Sequence, residues 1–161
     1  MRKVLVTVLA TVAALGIALP GVTGPAGASV RSKPPVKLDG TVTNKGTKPV
    51  KGNAVVIEQD DLYFKSTFLK AKAGSTIKVT VKNDGGTAHT FTIDGQGIDK
   101  TLSPGKTAKL DVTIPTNGKP VPFYCRFHVA SGMQGAFFTK AGAAAKSSGS
   151  SDSSGDGGYG Y

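Results

Sequence analysis

An all-β sandwich is the fold class this sequence predicts, and three observations carry it. Apolar and polar residues alternate with a period of two in several short segments, turn residues fall between those segments, and no stretch shows the periodicity of an amphipathic helix. With 161 residues, 22 of them Gly and 9 Pro, the chain holds one ordinary domain with flexible ends.

The first 28 residues read as an export signal. Arg2 and Lys3 form a positive start, Val4 to Leu19 an apolar run, Pro20-Gly21 a break, and Ala26-Gly27-Ala28 a small-residue cleavage site. The run of 16 residues contains Gly and Thr and is short for a membrane anchor. Cleavage near Ala28 leaves 133 residues of formal charge +8 in a secreted or extracytoplasmic compartment, periplasm or cell surface, with no integral span.

Residues 29–52 carry six basic side chains against Asp39 alone. This stretch reads as a basic leader or linker, able to sit near an anionic wall or membrane surface. Residues 53–140 hold eleven basic and seven acidic side chains and form the expected domain. Basic and aromatic residues are not interleaved, so no nucleic-acid partner is indicated. Residues 141–161 are Gly or Ser at 12 of 21 positions, a composition that predicts a disordered tail.

Within the domain, Val55 and Ile57 alternate ahead of Asp60-Asp61. Ile77, Val79 and Val81 point inward along Thr76–Lys82. Phe91 and Ile93 follow His89, and Ala108, Leu110, Val112 and Ile114 alternate with Lys109, Asp111 and Thr113. Turns are expected at Ala73-Gly74-Ser75, Asn83-Asp84-Gly85-Gly86, Asp94-Gly95, Ser103-Pro104-Gly105 and Thr116-Asn117-Gly118. An apolar strand precedes Cys125, and a second runs from Gly135 to Thr139.

The chemistry concentrates between those two strands. Cys125, His128 and Met133 stand at C-x₂-H-x₄-M spacing on one loop, and His89 begins a strand after the Asn83–Ala88 turn. Two imidazoles and a thiolate with a weak thioether are the ligand set of a blue-copper electron-transfer site. These four residues use both His, the one Cys and the one internal Met of the chain. A lone Cys more often behaves as a small hydrophobe and a lone Met as core filler. An unpaired Cys in an exported protein nevertheless needs an explanation, and metal ligation supplies one. With both His assigned, no Ser–His or carboxylate–His pair remains, so no enzyme is expected.

From about Val55 to Lys140 the chain resembles the cupredoxins, and plastocyanin-like ones in particular. The resemblance rests on Phe123-Tyr124-Cys125, His128, Gly132-Met133, Phe68-Leu69-Lys70-Ala71-Lys72-Ala73-Gly74, Asn83 and His89. It implies a Greek-key β-sandwich holding one type 1 copper ion that cycles between Cu(II) and Cu(I). His89, Cys125, His128 and Met133 are the metal ligands it implies, and transient electron exchange by a monomer with redox protein partners is the implied role. A copper-buffering or delivery protein is the alternative. Thr90 stands where the family often has Asn, which puts the tie between the two ligand loops, and with it the potential, in question. Arg126 and Phe127 flank His128. Either Arg126 steers partners that present an acidic docking surface, or it pairs with a carboxylate of its own domain.

Overall fold

The computed structural model describes residues 33–144, so the expected signal segment and most of the tail lie outside the described residues. Twelve strands form among the described residues: β1 (Val36–Lys37), β2 (Thr47–Pro49), β3 (Ala54–Asp60), β4 (Tyr63–Lys65), β5 (Phe68–Lys70), β6 (Thr76–Asn83), β7 (His89–Ile93), β8 (Ile98–Leu102), β9 (Thr107–Thr113), β10 (Val121–Tyr124), β11 (Gln134–Phe138) and β12 (Ala143–Ala144). One sheet runs β2-β5-β11-β10-β7-β8 and the other β4-β3-β6-β9, with β1 and β12 as a separate pair. Both large sheets are mixed: β3–β6, β5–β11 and β2–β5 are parallel, while β6–β9, β7–β8 and β10–β11 are antiparallel. The chain passes repeatedly from one sheet to the other, as a Greek-key sandwich requires.

Alternation decides which side chains fill the space between the sheets. In β6, Ile77, Val79 and Val81 are buried while Thr76, Lys78 and Lys82 are exposed, and β3 alternates in parallel register beside it. In β9 the inward positions are less deeply covered, Ala108 and Leu110 being half-buried and Val112 buried. Phe64, Phe91, Phe123 and Phe137 are fully buried. Phe123 is their hub, edge-on to Phe64 at 5.0 Å and to Phe137 at 5.5 Å, and tilted against Phe91 at 5.1 Å. Val121, Phe123 and Cys125 are all buried, so the two-residue period of β10 carries the thiol into the same interior.

The reading of residues 29–52 as a linker is corrected from Lys33 onward. Val36 and Leu38 are buried and cluster with Phe68, Ala136 and Phe138. By alternation with Leu69 and Phe137, which face the main core, those side chains lie on the outer face of the six-stranded sheet. The basic segment therefore covers that face, and Thr47–Pro49 extends its edge. The start of the expected tail also belongs to the fold: β12 pairs with β1, and the Gly142 N–H donates to the Pro35 carbonyl at 2.6 Å.

Candidate metal centre

The four candidate ligands meet at one end of the sandwich. His89 starts β7, Cys125 follows β10, His128 ends the turn that Cys125 begins, and Met133 immediately precedes β11. His89, Cys125 and Met133 are fully buried and His128 is half-buried. The loop is closed by its own backbone: the Cys125 N–H donates to the Met133 carbonyl at 3.0 Å, and the Met133 and His128 N–H groups donate to the His128 and Cys125 carbonyls at 3.1 Å each. Gly132, at φ 93°, ends a 3₁₀ turn over Val129–Ser131 and turns the chain back toward Met133.

Three donor atoms converge. The Nδ1 atoms of His89 and His128 lie 3.1 Å apart, and Cys125 Sγ is 3.8 Å and 3.6 Å from them. A triangle with these sides has its centre about 2.0 Å from each corner, close to a metal–imidazole bond (about 2.0–2.1 Å) and a little under a metal–thiolate bond (about 2.3 Å). The donor set therefore fits a single soft-to-borderline ion. Burial holds His89 below the usual histidine range; His128 acts in the same direction, and Asp61 and Asp60 oppose it. A neutral imidazole offers the lone pair that a metal needs.

The surrounding residues fix these ligands. The Thr90 N–H donates to Cys125 Sγ at 3.3 Å. On the far side of its ring, His89 Nε2 lies 3.4 Å from Thr87 Oγ1 and 3.9 Å from Asp61 Oδ1. Gly85 is required beside it, because a Cβ there would come within 2.9 Å of Nε2 and 2.8 Å of the Asp61 carboxylate. Asn83 organises the same turn, donating to the Thr87 and Leu102 carbonyls at 2.8 Å each and accepting from the Gly85 N–H at 3.0 Å. The buried Gln59 amide donates to the Thr90 carbonyl at 2.8 Å.

The question raised by Thr90 has a structural answer. Its hydroxyl accepts the Arg126 N–H at 2.8 Å and lies 3.1 Å from the Thr92 hydroxyl, which in turn lies 3.0 Å from Asp99 Oδ1. A hydroxyl has one proton, so the chain runs from Thr90 to Thr92 to the carboxylate. The Arg126 side chain closes the ring with Nε 3.1 Å and an Nη 3.0 Å from the same carboxylate. The two ligand loops are thus tied without Asn. Of the two roles weighed for Arg126, the structure shows the internal pair, and the hydrogen bond from Arg126, then that from Thr92, holds the Asp99 carboxyl below its ordinary range.

Sequence reasoning did not single out Gln59, Thr92 or Asp99, and read Gly85 only as a turn residue. Gln59 does leave a trace in it. Gln59 continues the inward series Val55, Ile57, just as Asn83 continues Ile77, Val79, Val81, and the two amides are register partners. Buried polar side chains at inward positions are held by hydrogen bonds, and these two amides donate to the turn and strand that carry His89.

A β-sandwich with a His-Cys-His cluster at one end, His89 and Cys125 buried and His128 half-buried, and a Met closing the ligand loop defines a class of small metal-site proteins. The family model of the cupredoxin-like domain matches residues 35–137, and the chain belongs to that family. No curated protein matches it. Among solved structures, the chain is similar to an auracyanin from Roseiflexus castenholzii at 20% identity and a TM-score of 0.48, covering 55% of this chain and 97% of that one. It is similar to auracyanin A, a blue copper protein from Chloroflexus aurantiacus, at 16% identity and a TM-score of 0.46, covering 58% and 100%. A multicopper oxidase variant from Aquifex aeolicus matches at 12% identity and a TM-score of 0.49, covering 63% of this chain and 30% of that one. His89, Cys125, His128 and Met133 are arranged as a type 1 copper site.

Proposed function

We propose that the protein is an exported carrier of single electrons, in which His89 Nδ1, Cys125 Sγ and His128 Nδ1 would hold one copper ion with the Met133 thioether as a weak fourth ligand. The convergence of those three donor atoms within 4.8 Å of one another supports this reading most directly. Copper, when bound, supplies the one-electron couple. The chain's part is to keep the ligands in one geometry through both oxidation states, so that little rearrangement accompanies electron gain or loss. The loop backbone bonds, the Asn83 amide and the Thr90–Thr92–Asp99–Arg126 ring serve that purpose. The Thr90 N–H on the sulfur is a lever on the potential, as hydrogen bonding around a type 1 thiolate generally is.

His128 is the one ligand that is not fully buried, and Phe127 beside it is 52% exposed. This supports docking of transient redox partners on an apolar surface around His128. Copper buffering is less well supported, since exchange with a recipient is slowed where three of four ligands are fully buried. An electron carrier, not an enzyme, is the reading that follows when both histidines and the cysteine serve one centre. Export rests on the order of charge, apolar run and small residues in the first 28 positions. The test is copper loading of wild type and Cys125→Ser: the wild type should bind one copper with an intense thiolate-to-copper band and the variant should lack it. A variant that keeps the band would refute the assignment.

A further inference from the structure

We infer that Asp39–Thr43, in the segment that reads as a linker, is a strap that positions Met133 against the metal centre, with Gln134 as its anchor. The inference rests on the copper reading above and extends it to a part of the chain about 90 residues away from the ligand loop.

Three sets of contacts carry it. The Gln134 side chain, 2% exposed, donates both protons of its amide to the strap, to the Asp39 carbonyl at 2.7 Å and to the Thr41 carbonyl at 2.7 Å. The Thr43 N–H donates to the Gly132 carbonyl at 2.9 Å, and the Thr43 hydroxyl lies 3.4 Å from the Ser131 carbonyl. The fit is also steric: a Cβ on Gly132 would come within 2.8 Å of Thr43 Oγ1 and 3.0 Å of its nitrogen. Residues 131, 132 and 134 are therefore all gripped by the strap, and Met133 lies between the gripped positions. The strap is itself anchored on one side by Val36 and Leu38 in the outer apolar cluster, and on the other by the Lys45 N–H, which donates to Thr67 Oγ1 at 2.8 Å.

The physical consequence follows from the weakness of an axial thioether. Such a ligand has little bond energy with which to hold its own position, so the protein must hold it, and the axial ligand is one of the terms that set the potential. Backbone bonds from Met133 to Cys125 and His128 fix one side of the residue, and the strap holds the Gly132 carbonyl before it and the Gln134 side chain after it. Gln134 is a positioning residue in this sense, acting through Met133.

The experiment is a double-mutant cycle of reduction potential on copper-loaded full-length protein: wild type, Gln134→Leu, Met133→Leu and the double variant. Gln134→Leu should shift the potential in the same direction as Met133→Leu and by less. In the Met133→Leu background it should add nothing, because no thioether remains to be positioned. Gln134→Asn, which keeps an amide but shortens its reach, should give a smaller shift of the same sign and serves if the Leu variant does not fold. An unchanged potential in Gln134→Leu, or in Gln134→Asn where Leu does not fold, or equal shifts with and without Met133, would overturn the inference. A colourless wild type would instead refute the copper reading, so the two failures are distinguishable.

Discussion

Replacing Thr90 by Val tests the tie between the ligand loops. Thr90 is fully buried, and Val keeps its shape while removing the hydroxyl that accepts the Arg126 N–H at 2.8 Å and donates onward to Thr92. The Thr90 N–H to Cys125 Sγ is a backbone bond and survives. The loss is one hydrogen bond to Thr92 and an orphaned, partly buried N–H on Arg126. Together these should cost about 2–3 kcal/mol, since a net hydrogen bond contributes about 1 and an unsatisfied donor costs about 1–2 where, as here, it is only partly buried. For a domain of this size that corresponds to a fall in Tm of roughly 8–12 °C, at about 4 °C per kcal/mol. Thr90→Ser, which keeps the hydroxyl and loses one methyl group, should cost only about 1 kcal/mol. Calorimetry or circular dichroism melting of copper-free protein measures both, provided unfolding is two-state. A Val variant as stable as wild type, or a Ser variant worse than Val, would refute the role of the hydroxyl.

Met133→Leu in copper-loaded protein should keep the colour and raise the potential, since the axial thioether favours the oxidised ion; voltammetry reads the shift, and an unchanged or lowered potential counts against Met133 as ligand. Phe123→Ala should be the most destabilising of the core truncations, at about 3–5 kcal/mol, because Phe123 touches three other buried rings; denaturant melts read it, and a cost under about 1.5 would contradict the packing. Asp99 has a depressed pKa in the folded chain, so its contribution is present above the unfolded carboxylate value near pH 4 and disappears as pH falls through the folded value. Asp99→Asn should accordingly flatten the acid limb of the stability profile below about pH 4, and a profile identical to wild type would exclude the Arg126 pair from it. Replacing both members of the pair, Arg126→Gln with Asp99→Asn, should change the salt dependence of electron exchange little, because the two charges already cancel; stopped-flow rates across a salt series would show otherwise if Arg126 steers.

The sandwich was legible wherever alternation was long enough to see. β3, β6, β7 and β9 each carry three or more residues of clear period two, and the loop with Cys125, His128 and Met133 announces itself by spacing. β1, β2 and β12 were not legible, because strands of two or three residues show no period and their surroundings are rich in Pro, Gly and Lys. A signal did exist in Ala136-Phe137-Phe138: an unbroken apolar run in a strand means that both faces are covered, so something had to lie over Phe138. The ring through Thr92 and Asp99 joins a hairpin to a loop 36 positions away from Thr90, and no local pattern encodes such a pairing.

The visible spectrum of the oxidised, copper-loaded protein, recorded alongside its metal content, decides whether His89, Cys125 and His128 hold copper through the thiolate. One copper per chain is expected, with an intense thiolate-to-copper charge-transfer band that bleaches on reduction and returns on reoxidation. A protein that binds no copper, or that binds it without that band, would contradict that assignment.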